Sequence, residues 1–239
     1  MKPINYTNPC HDIENKKCSH LCLLSSNSTY ECKCPYFMKL ALNRNTCVDV
    51  DTFIFISNDM DIRLFDYDEM KLNRTLLNIM APYSRNDIDN ITSIDYDPID
   101  NFIYYLDGSN GYIARFNLLN TSFYEKIIHS GLLNSVSLKL DWISRNLYFS
   151  TYDSTKSRIH MSKLNGQYRT TIMNDPFIKA PISIAIHPTL GFLFVLDVTI
   201  EYSKLMRSNL DGSDELVLID SLQERNFSRP RGKICLANI

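Results

Sequence analysis

Apolar and polar residues alternate in short runs over most of this 239-residue chain. In residues 182–186 every second position is apolar, and an aromatic-rich run at 192–196 follows after a turn that contains Pro and Gly. Apolar residues at i, i+2 and i+4, with many β-branched and aromatic side chains, are typical of strands, and helical interpretations of the same windows fail. The pattern predicts an all-β protein.

The strand pattern returns about every 45 residues, because residues 94–107, 138–151 and 184–197 can be laid on one another. Two sets of residues coincide in this register, with spacings of 44 and 46 residues: Tyr104, Tyr148 and Phe194, and Asp97, Asp141 and His187. In the third unit, strands predicted at 204–210 and 215–219 flank an Asp-Gly-Ser turn. Four short strands in 40 to 50 residues are the spacing of one β-propeller blade.

Partial units flank the three whole ones. Residues 53–58 and 61–66 read as two strands of a diverged unit, and residues 230–235 align with the opening strand at 181–186. We therefore predict a propeller region over residues 51–239, with chain for about four blades.

Cysteine usage defines a second module. Six of the seven cysteines lie between Cys10 and Cys47, where there is little apolar sequence to form a core. Such a segment needs disulfides to fold, which predicts a small stapled module at residues 1–50 and an oxidising compartment. The spacing alone allows 15 pairings. A zinc site with His11 and His20 is the alternative, although paired C-x2-C motifs are absent.

The seventh cysteine, Cys235, aligns with Ile186 and Leu140 on apolar strands. We predict that it is a free, buried thiol. Six N-x-Ser/Thr sequons are candidate glycosylation sites and agree with a secreted surface. They lie at Asn5, Asn27, Asn73, Asn90, Asn120 and Asn226.

Composition excludes several classes of function. The net charge is −2 without a basic stripe, so nucleic acid is not an expected partner. Apolar runs such as 53–56 have strand length, well below the ~18 residues of a membrane span. The sequence has neither a G-x-S-x-G nor an H-E-x-x-H motif, and its 7 glycines form no phosphate-binding loop. We expect no catalytic residue, no cofactor and no bound metal.

The amino-terminal module resembles an epidermal-growth-factor-like domain in residues 18–24 and 30–35. The resemblance implies the disulfides Cys10–Cys22, Cys18–Cys32 and Cys34–Cys47. Two features depart from the family, which usually has glycines where this chain has Lys16 and Lys17 and a glycine near Phe37, where the backbone has positive φ. The carboxylates of calcium-binding versions are absent from residues 5–9, so no calcium site is expected.

The two modules together resemble the low-density-lipoprotein-receptor family, whose Tyr-Trp-Thr-Asp propellers adjoin growth-factor-like modules. The repeat is imperfect here, at 104–107, 148–151 and 194–197, but Asp141-Trp142 and the Leu-Asp-Gly turns add to the resemblance. It implies six blades, so that the four predicted here would be an incomplete propeller with apolar faces open to water. Alone, this chain would then aggregate or melt broadly.

The resemblance also implies a function. It indicates the extracellular ligand-binding region of an endocytic or signalling receptor, whose parent protein is membrane-anchored and whose blade-connecting loops bind an extracellular protein ligand. A basement-membrane protein of the nidogen type is the main alternative, and a calcium-dependent hydrolase on a six-bladed propeller is the rival class.

The repeated acidic residues have a structural and a chemical interpretation. Asp107 and Asp197 share one repeat position and Asp97 and Asp141 another, which favours carboxylates that bond to nearby backbone and tie blades together. Histidine titrates near the pH of acid-triggered ligand release in this receptor family. The sequence offers three candidates for that role: His129, His160 and His187.

Overall fold

The computed structural model describes residues 8–10, 17–25, 29–74, 76, 78–152, 156–199 and 202–220. Within these ranges the chain forms 19 β-strands and one short helix, so the prediction of an all-β fold is confirmed apart from that helix. The chain divides into two compact units, Met1–Ile56 with Ile62–Tyr83, and Ser57–Asp61 with Ser84–Ile239. The module boundary between residues 50 and 51 stays a prediction.

Two short hairpins and three disulfides build the start of the first unit. The hairpins pair β1 (Leu21–Leu24) with β2 (Tyr30–Lys33) and β3 (Met38–Leu40) with β4 (Cys47–Asp49). The disulfides join Cys10 to Cys22, Cys18 to Cys32 and Cys34 to Cys47, with Cα atoms 5.7, 5.4 and 5.6 Å apart. These are the pairs that the resemblance implies. Because the six cysteines bond to one another, none remains as a thiolate ligand for zinc.

Phe37 lies between the hairpins with φ 66°, the left-handed conformation at which the related modules carry glycine. Two backbone hydrogen bonds hold it there, from its own N–H to Ile79 O at 3.0 Å and from Val50 N–H to its carbonyl at 2.9 Å. The loop therefore keeps its turn although the residue is not glycine.

A three-stranded sheet follows, in the order β5 (Phe53–Ser57), β6 (Asp61–Asp66) and β7 (Tyr83–Ser84). Both strands predicted here are present. The helix α1 (Tyr67–Asn73) after β6 was not predicted. Its start is set by Asp66, whose carboxylate accepts hydrogen bonds from Asp68 N and Glu69 N, and its end by Arg74 at φ 54°. An aspartate cap with acidic residues in the first turn is a helix signal that the strand pattern obscured.

Three four-stranded antiparallel sheets form the second unit. We call the β5–β7 sheet the first blade and these sheets the second, third and fourth blades. The second contains β8 (Ile91–Asp97), β9 (Phe102–Asp107), β10 (Tyr112–Asn117) and β11 (Tyr124–Ile128). The third contains β12 (Ser137–Asp141), β13 (Asn146–Thr151), β14 (Arg158–Lys163) and β15 (Thr170–Asn174). The fourth contains β16 (Pro181–His187), β17 (Phe192–Val198), β18 (Ser203–Asn209) and β19 (Leu216–Asp220).

The three complete blades repeat in detail. In each, the strands pair in sequence order, and the pairing of the last two strands shifts at one position, after Ile113, Ile159 and Leu205. The opening strand β12 packs against both β8 and β16. These shared features make the 45-residue repeat a structural repeat, and the three sheets of the second unit are blades of a propeller arrangement.

Apolar cores lie between consecutive blades. Tyr104 and Leu106 of the second blade pack with Leu138, Leu147 and Phe149 of the third. Tyr148 occupies the position of Tyr104 and packs in the same way with apolar residues of the fourth blade. Burial against the next blade explains why an aromatic residue recurs at this position.

Glycines in the last turn of two blades bring those blades close together. A Cβ atom on Gly166, in the turn before β15, would lie 2.1 Å from the carbonyl oxygen of Ile127 in the second blade. Gly212, before β19, has the same relation to Ile172 of the third blade, also at 2.1 Å. Only glycine permits so close an approach, and both residues also have positive φ, 80° and 87°.

The last strand of the fourth blade differs from its counterparts. Ile128 and Met173 lie at equivalent positions near the ends of the outer strands of the preceding blades and are buried, whereas Ile219 at the same position of β19 is 40% exposed. Its neighbours Leu216, Val217 and Leu218 are 44 to 49% exposed. The fourth blade therefore presents an aliphatic strand to solvent.

Candidate functional site

The repeated carboxylates at the ends of β9 and β17 bind backbone N–H groups of the segment that leads into their own blade. Asp107 accepts from Asp89 N at 2.9 Å, and Asp197 accepts from Lys179 N at 3.1 Å and Ala180 N at 2.5 Å. Both side chains are fully buried. With their oxygens engaged in this way, the two carboxylates fix the entry of each blade.

A second repeated position caps the first turn of each blade. Asp97 and Asp141 accept hydrogen bonds from backbone N–H groups two residues ahead, at 3.1 and 3.0 Å. His187 substitutes for them in the fourth blade, where its Nδ1 accepts from Leu190 N at 3.2 Å. A ring nitrogen thus replaces a carboxylate oxygen as the acceptor that shapes the turn.

Asp97 also receives a charged partner from the third blade. Arg145 donates to Asp97 at 2.7 Å and to Asp100, and its backbone is left-handed with φ 59°. The pKa of the Arg145 guanidinium is raised, chiefly by its hydrogen bond to Asp97. This ion pair ties the first turns of two neighbouring blades.

Serines on the opening strands form a further link that the repeat analysis missed. Ser93 accepts from Leu138 N at 3.1 Å and donates to Leu138 O at 3.3 Å, and Ser137 accepts from Ile184 N at 3.0 Å. Together with Ser183 they lie 44 and 46 residues apart, four residues before the aligned acidic or histidine position. That spacing was visible in the alignment, although serine is too common to attract notice without the contact.

The aromatic repeat position is buried in the second and third blades and half-buried in the fourth. Tyr104 and Tyr148 are buried, and burial raises the pKa of Tyr148 to about 12. Phe194 of the fourth blade is only partly covered. All eight repeat residues therefore lie in blade cores, turns or entries, and none of them lines the cleft described next.

A cleft of about 610 Å3 opens at the end of the second blade opposite the Asp97 turn, where the segments before β8, after β9 and after β11 meet. Its lining includes Asp87 and Asp89 before β8, Asn110 after β9, Tyr112 on β10 and Lys126 on β11. Met60 and His129 are both exposed and complete part of the rim. Four chain segments thus contribute side chains to one concave surface.

Asp87 is the centre of the cleft's hydrogen-bond network. Its carboxylate binds Lys126 at 2.9 Å, Arg85 at 3.0 Å and the Tyr124 hydroxyl at 3.2 Å. Its backbone carbonyl accepts from the Tyr112 hydroxyl at 3.0 Å. These contacts hold the connecting segment against the outer strands of the blade.

Charges in the cleft are paired with aromatic rings as well as with Asp87. The Arg85 guanidinium lies 3.7 Å from the Tyr124 ring centroid, and the Lys126 ammonium lies 4.0 Å from that of Tyr112. Although burial opposes it, hydrogen bonds from Lys126 and Arg85 hold the pKa of Asp87 below its ordinary value. Lys126 lines the cleft and Arg85 lies beside it, so that two cations on aromatic faces flank one ionised carboxylate.

Sequence reasoning did not find this cleft, because its residues break the repeat. Lys126 corresponds to Thr171 in the third blade and to Val217 in the fourth, as the common strand shift shows. Residues that repeat in every blade are structural, so an alignment of repeats does not draw attention to positions at which one blade differs. A charged residue at a position where the other blades have Thr or Val is the sequence signal that could have indicated the cleft.

The three histidine candidates have different surroundings. His129 lies at the rim of the cleft, and His187 caps a turn at the opposite strand ends. His160 is buried, and burial together with Arg169 and Arg158 lowers its pKa to about 4. His160 therefore stays neutral between pH 7 and pH 5, and the expectation that it senses acid in that range is wrong.

Several predictions concern residues outside the described part of the chain. Cys235, the strand at 230–235, His11, and the sequons at Asn5, Asn27 and Asn226 lie there. Among the described residues, no three His, Cys, Asp or Glu side chains cluster in a way that would hold a metal ion. In the same ranges, no helix has the length and apolar character needed to cross a bilayer.

Comparison with known proteins agrees with the architecture. A stretch of 141 residues, 58% of this chain, is 29% identical to low-density lipoprotein receptor-related protein 5 of Mus musculus and covers 8% of that protein. No family model matches the chain.

Two solved structures are similar in fold. One, titled as a nidogen/laminin complex, has TM-score 0.63 and 21% identity over 75% of this chain and 64% of that one. The other, a hydrazine synthase of Kuenenia stuttgartiensis, has TM-score 0.54 and 12% identity over 72% of this chain and 46% of that one. At these identities the structures show the fold alone. The receptor-related sequence, the repeated blades and the three disulfides together support a Tyr-Trp-Thr-Asp propeller region of low-density-lipoprotein-receptor type with growth-factor-like disulfides.

Proposed function

We propose that this chain is part of the extracellular ligand-binding region of a receptor, endocytic or signalling, in a membrane-anchored parent protein. It is a non-catalytic platform that binds an extracellular protein ligand. The disulfides and the receptor-related sequence support the location. The engagement of the repeated carboxylates by backbone N–H groups supports a structural role for them over a catalytic one.

The cleft around Asp87 is the observation that carries the proposal. Arginine and tyrosine are among the residues most enriched where protein interfaces gain their binding energy. Here Arg85 lies in the connecting segment before β8, and Tyr112 and Tyr124 lie on the strands β10 and β11 that support this segment. Arg85 and Lys126 offer positive charge, and Met60 offers an exposed apolar side chain. We infer that a protein ligand places a carboxylate against the two cations.

A comparative capture experiment tests this proposal. The intact natural protein is used to capture partners from extracellular fluid, as wild type, as the double variant Arg85→Ala/Lys126→Ala, and as the control Lys163→Ala. Lys163 is an exposed cation at the opposite strand ends, bonded to Asn146. We expect a specific partner whose capture falls about 10-fold or more with the double variant and is unchanged with the control. Equal capture by all three forms would refute a role for the cleft.

If the receptor interpretation holds, acid should weaken this binding, and His129, exposed at the rim of the cleft, is the candidate histidine. We expect affinity for the captured partner to fall between pH 7 and pH 5, and to fall less in His129→Gln. Binding that does not change over this range in the wild type would remove histidine sensing from the proposal.

The nidogen-type alternative places the same fold in a matrix protein without a membrane anchor. Fractionation of the natural protein decides between them, since a receptor sediments with membranes and a matrix protein stays with the insoluble matrix. The hydrolase alternative requires a bound metal in the channel and turnover of a small ester or lactone.

A further inference from the structure

We infer that Asn120 is the acceptor of an N-linked glycan, attached at the end of the second blade that lies opposite the cleft. The inference rests on the proposed function in one respect, that the protein passes through the secretory compartment. Asn120 lies in the turn between β10 and β11, where residues 119–123 are all exposed. An exposed turn admits both the transferase and the finished glycan.

The hydrogen bonds of this turn present the Asn120 amide outward. Asn117 Oδ1 accepts from Leu119 N and Asn120 N, both at 3.0 Å, and Phe123 N donates to Asn120 O at 2.9 Å. The Asn120 side-chain oxygen accepts from Ser122 N at 3.3 Å. Asn120 is exposed, and among the described residues nothing accepts a hydrogen bond from its Nδ2, so no contact of the turn engages the nitrogen that would carry the sugar.

Two other sequons have their asparagine among the described residues, and both differ from this one. Asn73 Nδ2 donates to Glu69 Oε2 at 2.6 Å on the last turn of α1. The sequon at Asn90 runs into β8, and the hydroxyl of its Thr92 donates to Ser135 O at 3.1 Å inside the blade junction. Gly108 packs so closely on Thr92 that an added Cβ would lie 2.7 Å from its methyl group. Once the blade has folded, the Asn90 sequon is no longer accessible as a whole.

The reaction requires a lipid-linked pyrophosphoryl oligosaccharide as co-substrate. A bond forms between Asn120 Nδ2 and the anomeric carbon of the first sugar, and the bond from that carbon to the pyrophosphate oxygen breaks. Lipid pyrophosphate leaves, and the nitrogen releases one proton. Ser122 supplies the hydroxyl that completes the acceptor sequence.

A glycan at this position has two structural consequences. It covers the apolar tip of the turn, where Leu119 is 68% and Phe123 46% exposed. It also lies beyond the far end of β10 from Tyr112 in the cleft, and the six-residue strand is itself about 17 Å long. The glycan therefore shields one end of the blade and leaves the cleft free, whereas a glycan on Asn90, next to Asp89, would obstruct it.

Site-resolved glycan mapping tests the inference. The intact natural protein is produced in animal cells, released from its glycans with a glycosidase in heavy-oxygen water, and analysed by peptide mass spectrometry. We expect Asn120 to be occupied in most molecules and Asn90 in few. Ser122→Ala should remove the Asn120 glycan and its shift in gel mobility. Thr121→Ala, in the same turn with the sequon intact, and Ser122→Thr should both retain it.

An unmodified Asn120 alongside glycans on other sequons would overturn this inference and leave the proposed function standing. Natural protein that reaches the cell surface without glycan at any sequon would overturn the inference too, and natural protein that never enters the secretory route would contradict the proposed function as well. Because occupancy is measured without a ligand, failure of the binding experiment leaves this result unaffected.

Discussion

Burial gives His160 a lower pKa than an ordinary imidazole. The ring stacks on Phe149 with centroids 5.2 Å apart, and its two nitrogens lie 3.2 Å from the Thr171 hydroxyl and 3.0 Å from the Arg169 guanidinium. A proton added here would be desolvated and repelled by Arg169 and Arg158. The folded blade therefore holds the neutral form.

This pKa difference predicts a loss of stability in acid. The pKa of His160 is about 4 in the folded protein and about 6.5 in an unfolded chain, so only the unfolded state gains a proton as the pH falls from 6.5 to 4. The free energy of unfolding of the third blade should fall by about 3 kcal/mol over that range. Hydrogen exchange of β14 amides, corrected for intrinsic rates, measures it. In His160→Gln this part of the pH dependence should disappear, and an unchanged profile would contradict the assignment.

Arg145 combines a buried ion pair with a strained backbone, and two substitutions separate these effects. Arg145→Ala should destabilise the protein by about 1–3 kcal/mol, because buried Asp97 loses its charged partner. Arg145→Gly also loses the pair but relieves the positive φ, so it should be less destabilising by about 0.5–1 kcal/mol. Pulse proteolysis gives both values. Equal stability of wild type and Arg145→Ala would show that the ion pair is not a structural link.

At the scale of elements, the turn glycines differ sharply in their surroundings. Gly166→Ala should cost more than about 3 kcal/mol, since its Cβ would overlap the Ile127 carbonyl. Gly191→Ala is the matched control, because Gly191 has a similar φ of 71° and no atom within 4 Å of an added Cβ. This control substitution should lower the free energy of unfolding by about 1 kcal/mol, because only the positive φ opposes it. Protease resistance of the secreted variants measures the difference, and similar costs would refute the close contact between blades.

The elements that sequence predicts well are those that recur. Strands at 182–186 and 192–196 were found within two residues of their bounds, because alternation and the repeat support each other. The helix α1 occurs once, where the expected strand pattern masked the Asp66 cap. The cleft depends on which side chains meet from Arg85, Asp87 and Lys126, and no local pattern encodes that meeting. Repetition thus identifies the scaffold, and departures from it mark the site.

At the scale of the whole molecule, the exposed strand β19 favours self-association. Its aliphatic residues present apolar surface that the preceding blades bury, and such strands are aggregation hazards. We expect residues 1–239 alone to aggregate or melt broadly, and added propeller sequence to restore one cooperative transition. A soluble monomer of 1–239 with one sharp melting transition would refute this expectation.

A pair of substitutions at equivalent positions tests the cause. Ile219→Lys should raise solubility, because it places charge on an exposed strand, whereas Met173→Lys should unfold the third blade, because Met173 is 3% exposed. Light scattering and yield of secreted protein distinguish the two. If Ile219→Lys destabilises the chain as much as Met173→Lys, this part of β19 is covered in solution.

In both close glycine contacts a later blade packs on the blade that precedes it in the sequence. Gly166 packs against the carbonyl of Ile127, and Gly212 against that of Ile172, so the last turn of each of these blades fits a surface made by the blade before it. Synthesis delivers the chain in the same order, amino end first, at a few residues per second. Each finished sheet can then act as a template for its successor during translation. A fault in the second blade is consequently passed on to later ones, whereas a fault in the fourth leaves its predecessors already formed.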